Sequence, residues 1–423
     1  MPTTVQDPAR GTSRGALFTR SFVLMLVSVV GAFVNFAVLM PLVPAWAERS
    51  GLSQVAVGGT TSVMMGACVV SQLVMPWLLD RFGFVRPFVA GLVLMGAPVL
   101  ALPWAQEVAS IYSVQAVRGV GFGLLVVSGS ALAATLAPRH LRGRAVGTYG
   151  VSIALAQIPS LPAGVPLAGA IGWPAVFWIA GLAALVVLPA AVLVRERQEE
   201  PVRLGATGLE EEAAAGRDRP WVTPAVLLLS SSLAFGAVGT FLSLGLDSAR
   251  VVLLALLGVS GGQVVGRAWA GTVSDRRGVG QLLAPMSAAA AIGMACMALA
   301  MADPGQAPLG LPALLVEDGM AVLGAALLGM GFGALQNDTL VLMIDRIGPG
   351  RVGLASTVWN VGYDAGTGSG SLVVGGLAGA IGIAGGFGVL ATLGLVAVPA
   401  AMVMARAEAR VRAERVAHGV PGA

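Results

Sequence analysis

The chain has 423 residues, of which 56% are hydrophobic and only 11% charged, and its mean hydropathy is +0.85. Soluble domains carry about 25% charged residues, so this composition argues against a soluble enzyme. The pI near 9.8 comes from 25 basic residues, all arginine, scattered through short polar breaks rather than gathered on one face, which argues against nucleic-acid binding.

Uncharged runs of about 20 residues are the length a helix needs to cross a bilayer. They predict spans at 21–40, 53–79, 87–105 and 108–136, the fourth interrupted by Arg118. Residues 145–194 carry no charge, too long a run for one span, and Gly172-Trp173-Pro174 divides it into spans five and six. Residues 195–220 then hold twelve charges in 26 positions, which reads as a polar linker. Spans seven to ten follow at 221–244, 251–273 (with Arg267), 279–301 and 319–344 (with Asp338). Residues 352–405 carry one charge, Asp364, and split near 379–386 into spans eleven and twelve. The first run follows Arg10, Arg14 and Arg20 and is too long for a signal-peptide core, so it reads as a retained span.

The arrangement predicts an all-α membrane protein. It has a tail at 1–17, a six-helix bundle at 18–194, a linker at 195–220, a second bundle at 221–405 and a tail at 406–423. With both termini in the cytoplasm, 21 arginines fall on that side and only Arg49 and Arg250 on the other. That asymmetry is what the positive-inside rule demands.

One motif occurs twice. Asp80-Arg81-Phe82-Gly83 follows span two and Asp275-Arg276-Arg277-Gly278 follows span eight, with the aspartates 195 residues apart. Glycine-rich segments repeat as well, Gly119-Val120-Gly121-Phe122-Gly123 in span four and Gly329-Met330-Gly331-Phe332-Gly333 in span ten. On these residues the chain resembles the major facilitator superfamily over residues 18–405. The resemblance implies twelve transmembrane helices in two pseudo-symmetric bundles and transport by alternating access. It also implies that Asp80, Arg81, Gly83, Asp275, Arg276 and Gly278 brace a cytoplasmic gate, with Asp345 placed to pair with Arg276 or Arg277. The first copy departs from the family pattern: Pro76 stands for a glycine, and Phe84-Val85 for a basic pair. In span four Gln115 occupies the family's usual arginine position, and Arg118 directly precedes Gly119.

A charge within a span costs about 2.5–3.5 kcal/mol at the helix centre, which makes each such residue a candidate for transport. Asp338 suits a proton carrier or a counter-charge for a cationic substrate; a structural partner of an arginine is the alternative. Asp364 lies about twelve residues into span eleven, with Asn360 one turn before it. Arg118 suits an anionic group, and Asn35 in span one is a weaker polar candidate. Arg267 lies toward the cytoplasmic end of its span, where it can snorkel, and reads first as structural. Cys68 and Cys296 read as small buried hydrophobes. No GxxxxGK[ST] motif is present, so ATP hydrolysis is not expected, and neither is a cofactor or metal.

The expected function is a monomeric, proton-coupled transporter in a bacterial inner membrane that exports a small amphipathic organic compound. Uptake of a small organic anion, with Arg118 as its receptor, is the alternative. The partners expected are the small-molecule substrate, protons and the lipid bilayer.

Overall fold

A computed structural model describes residues 17–138, 141–195, 221–302, 313–347 and 352–417. Nearly all of them are helical. The helices are α1 Arg20–Arg49, α2 Gln54–Phe82, α3 Val85–Trp104, α4 Val108–Leu136, α5 Arg142–Ile171, α6 Trp173–Val192, α7 Val222–Gly245, α8 Ala249–Arg277, α9 Leu283–Ala300, α10 Ala313–Ile347 and α11 Val352–Ala417. Eleven helices are thus long and apolar enough to cross a membrane. The last is a hairpin. Gly382 has φ 72° and ψ 169°, and Gly386 packs against Val374. Twelve residues along a straight helix would separate these two by about 18 Å. The expected turns at Gly172 and within 379–386 are therefore present, the first as a φ of 90° at Gly172. The helix of α11 continues beyond 405 to Ala417. The linker at 196–220 and the tail at 1–16 lie outside the described residues.

The local chemistry repeats with the sequence. Ser53 caps α2 by accepting from the Ala56 amide, and Ser248, at the 195-residue offset, caps α8 by accepting from the Val251 amide. Gly83 and Gly278 end the same two helices with φ of 71° and 85° and extended ψ, a region open essentially to glycine. This explains the glycine of the repeated Asp-Arg-x-Gly motif without reference to any gate.

Within each half, helices meet at glycines. Gly119 of α4 faces the Met64 carbonyl of α2, and Gly329 of α10 faces the Val259 carbonyl of α8. Gly236 of α7 is so close to α11 that a Cβ there would overlap the Thr367 carbonyl. Small residues at contacts let backbones approach where lipid provides no hydrophobic drive for helix association. We predict that Gly236→Ala lowers stability by about 1–3 kcal/mol, the usual cost of overpacking. Gly376→Ala, where a Cβ would meet nothing within 4 Å, should be neutral or better. Thermal unfolding of the two variants in detergent checks this.

Candidate functional site

The site is built where the two halves meet. At the end opposite the Asp-Arg-x-Gly loops, hydroxyl groups join them. Thr61 of α2 shares a 2.8 Å hydrogen bond with Thr240 of α7, which shares another of 2.8 Å with Ser371 of α11. Ser371 donates to the Gly236 carbonyl at 2.9 Å. Gly58 lies against the Ser371 backbone and Gly375 against the Gln54 carbonyl, so α2 and α11 touch main chain to main chain. Further along, Ser62 donates to the Gly368 carbonyl at 2.7 Å.

Next toward the loops comes Asp364, only 3% exposed. Its carboxylate accepts from Gln72 Nε2 at 2.7 Å and from the Cys68 thiol at 3.3 Å, both on α2 in the other half. No arginine or histidine pairs with it among the described residues. Burying an unpaired carboxylate is costly unless hydrogen bonds replace its water, and here two donors from the opposite half do so. Neither Gln72 nor Cys68 stood out in the sequence. Cys68 is fully buried, as expected of a small apolar residue, and it also serves as a donor.

Asn360 does not join this group. It donates to the Ser356 carbonyl of its own helix at 2.8 Å. Asp338 is also elsewhere. It accepts from Ser274 of α8 at 3.0 Å and from Asn337 at 3.3 Å. The backbone amides of Gly280 and Leu282, just before α9, also bond it. Asp338 thus ties the loop that follows the second motif to α10, and a carboxylate at a helix N-terminus is favourable. The structure does not bring Asp338 to Arg267 or to Asp364.

Arg118 and Asn35 are brought together inside the first half. Arg118 is 1% exposed and donates to Gln115 and, at 3.3 Å, to Asn35. Asn35 donates onward to the Ala180 carbonyl of α6 at 2.8 Å. The Nε of Arg118 has no partner among the described residues. The guanidinium is packed in a polar pocket of one bundle, with no opening to the interface.

The motif residues sit at the helix ends. Asp80, Arg81, Arg276 and Asp345 are exposed, and none enters an ion pair among the described residues. The side chains of Asp275 and Arg277 lie outside the described part. At that end Arg346 bonds Glu408 through Nε at 3.0 Å and Nη2 at 2.5 Å, tying α10 to the far end of α11.

Between the halves a small cavity, no larger than a water molecule needs, is lined by Phe36, Gln157, Phe235, Ser260 and Gln263, from α1, α5, α7 and α8. Phe36 stacks on Phe122 with ring centroids 4.4 Å apart, and Phe235 on Phe332 at 4.5 Å. Phe122 and Phe332 are the phenylalanines of the two glycine-rich repeats, so the same stacked pair is built once in each half. Periodicity along one helix could not have revealed a pair formed between two.

The Major Facilitator Superfamily model matches residues 25–337. The 3-(3-hydroxy-phenyl)propionate transporter of Escherichia coli is 30% identical over 166 residues, which is 37% of this chain and 40% of that protein. Multidrug resistance protein 2 of Bacillus subtilis is 24% identical over 189 residues, 42% of this chain and 46% of that protein. The matches thus span less than half the length of these relatives. In fold, the chain is similar to the nucleoside transporter NupG, crystallised as a point mutant (TM-score 0.70, 13% identity, 91% of this chain and 99% of that one). It is equally similar to a bacterial homolog of the human lysosomal transporter Spinster in an inward-facing and occupied conformation (TM-score 0.71, 14% identity, 92% and 97%).

The two intramembrane aspartates at 338 and 364 have different surroundings. The contrast between Asp338 and the exposed Asp345 gives a stability test. We predict that Asp338→Ala costs about 1.5–3 kcal/mol, as loss of hydrogen bonds to a charged group does. Asp345→Ala should stay within about 0.5 kcal/mol, as exposed substitutions do. Thermal unfolding of both variants in the same detergent measures the difference.

Proposed function

The chain belongs to the major facilitator superfamily and is a membrane transporter rather than an enzyme, and we propose that it couples proton movement to transport of a small amphipathic organic compound across a bacterial inner membrane. The observation that carries this reading is Asp364. It is a carboxylate in the middle of the interface, held by Gln72 and Cys68 of the opposite half with no cation beside it among the described residues. A group that takes up and releases a proton there changes the bonds that hold α2 to α11. Proton binding and the opening of the interface are then linked through one side chain, and linkage of this kind acts in both directions.

The arrangement of the halves supports alternating access. The Thr61–Thr240–Ser371 contacts and the glycine contacts of Gly58 and Gly375 close the end opposite the loops. On the loop side of Asp364, Trp359, Asn360 and Tyr363 are partly exposed and Arg267 is exposed. The gate residues Asp80, Arg81, Arg276 and Asp345 stand apart. In our reading this is the cytoplasm-facing state. Gly83 and Gly278 hold the turns, Asp338 anchors the second loop, and Arg118 with Asn35 stiffens the first bundle.

Export is the direction we propose, supported by the resemblance to a multidrug resistance protein. The resemblance to a 3-(3-hydroxy-phenyl)propionate transporter favours a second reading, uptake of an organic anion. Purified protein in liposomes containing a pH-sensitive dye separates these readings when cations, neutral compounds and anions are supplied on either side. We expect substrate-dependent proton flux to fall at least tenfold in Asp364→Asn, which keeps the side chain's size. Substrate exchange without net proton movement should persist. Flux in Asp364→Asn equal to wild type would remove Asp364 from the coupling step.

A further inference from the structure

Arg267 is an exposed cation with no hydrogen bond or ion pair among the described residues. Gln263, one turn away on α8, lines the cavity between the halves and donates to Gln336 of α10 at 3.1 Å. Residues four apart share a helix face, so Arg267 extends that lining by one turn toward the loop end. Tyr363 and Gln336 lie in its neighbourhood. The Tyr363 hydroxyl of α11 is within electrostatic reach of Arg267, and Gln336 hydrogen-bonds that same hydroxyl. Arg267 thus lies near Gln263 and Tyr363, is exposed, and makes no hydrogen bond or ion pair among the described residues. A snorkelling arginine would turn outward to the membrane surface; this one has the Tyr363 hydroxyl of α11 within electrostatic reach.

The internal repeat sharpens the point. At the 195-residue offset of the two motifs, Cys68 corresponds to Gln263 and Gln72 to Arg267. The backbone agrees, because Gly123 packs against the Cys68 carbonyl and Gly333 against the Gln263 carbonyl. In the first half this pair of positions reaches across the interface to Asp364. In the second half Gln263 lines the cavity together with Gln157 of α5, and no carboxylate among the described residues pairs with Arg267. One copy has its partner within the protein. The other copy leaves a cation without one.

Tyr363 belongs to a row of stacked rings. Trp359 and Tyr363 lie 5.7 Å apart at 23°, Tyr363 and Phe332 5.7 Å apart at 28°, and Phe332 and Phe235 4.5 Å apart at 19°. Trp359 is held by its indole N–H, which donates to Thr339 at 3.2 Å. Phe235 and Phe332 are buried, while Trp359 and Tyr363 are partly exposed. A guanidinium next to aromatic rings presents two kinds of contact to one ligand. It offers forked N–H donors matched to a carboxylate and ring faces that accept offset stacking.

We propose that Arg267, with the Trp359–Tyr363 shelf, forms the substrate-recognition site and takes a planar aromatic organic anion, its carboxylate on Arg267 and its ring on the shelf. This rests on the transporter reading above but not on its direction. Equilibrium binding to the purified protein tests it, with radiolabelled 2-naphthoate as probe. Benzamide, cyclohexanecarboxylate and benzylammonium compete in turn, removing the charge, the aromaticity or the sign. We expect naphthoate to bind, the three competitors to be at least tenfold weaker, Arg267→Gln to lose at least tenfold and Arg267→Lys to recover part of the loss. Trp359→Leu should weaken binding severalfold. Each variant is first shown to match the wild-type unfolding temperature within a few degrees; one that does not is replaced by Arg267→Lys and Trp359→Phe as the informative pair.

Naphthoate binding unchanged in Arg267→Gln, benzylammonium binding as well as naphthoate, or no aromatic carboxylate binding at all would each overturn the site. The same assay on Asp364→Asn keeps the two readings apart. Binding that survives there while proton flux is lost supports both. Proton-coupled flux that survives in Asp364→Asn overturns the coupling role and leaves the Arg267 site standing.

Discussion

Two bundles that separate and rejoin, as the alternating access proposed above requires, need an interface that is specific without being strong, and the bilayer imposes how it is made. Lipid tails are as apolar as leucine, so burying hydrocarbon between helices gains little. The contact must come from close packing and hydrogen bonds instead. Thr61, Thr240 and Ser371 supply a short chain of hydroxyls, and Gly58 and Gly375 bring the backbones of α2 and α11 together. Interhelical hydrogen bonds in membranes average about 0.6 kcal/mol, so a few of them can be broken and remade without a large barrier. The same construction inside a half would be too weak on its own. There the glycine contacts are joined by stacked aromatic pairs, Phe36 on Phe122 and Phe235 on Phe332.

The pseudo-symmetry explains both what repeats and what does not. Caps at Ser53 and Ser248, turns at Gly83 and Gly278, and glycine contacts at Gly119 and Gly329 recur because each is a backbone requirement of the same six-helix plan. The charged residues within the spans do not follow the repeat. Arg118 has Leu328 as its counterpart next to the second glycine-rich segment, and Gln72 has Arg267. The scaffold is duplicated and the chemistry is asymmetric, as a site for an asymmetric ligand requires.

Much of the fold was legible in the residues. Uncharged runs gave the spans, the Gly172-Trp173-Pro174 turn divided the longest of the first half, and the glycines near 382 marked the hairpin in α11. The roles of individual polar residues were harder to read. Asp338 and Asp364 both appear as lone carboxylates in apolar helices. One sits by loop amides at Gly280 and Leu282, and the other by Gln72, 292 residues away in sequence. Which neighbour a span residue meets depends on rotation about the helix axis and on which bundle lies opposite, and neither is written in the local pattern. The uncharged Gln72 gave no signal in its own span. Only its correspondence to Arg267 through the repeat would have marked it.

Arg267 shows how cost distinguishes one charge from another. Every arginine in a span must recover its desolvation from some partner. Arg118 does so with Gln115 and Asn35 inside a closed pocket. Arg267 is exposed and has no hydrogen-bond or ion-pair partner among the described residues. In the alternating access proposed above, the halves close over the loop side and strip the arginine of its water. An arginine left bare there would oppose closure by several kcal/mol. A bound anion removes that penalty by taking the place of the water. Closure around an empty site is then disfavoured and closure around a loaded one is not, which is the condition a coupled transporter must meet to avoid cycling without its substrate.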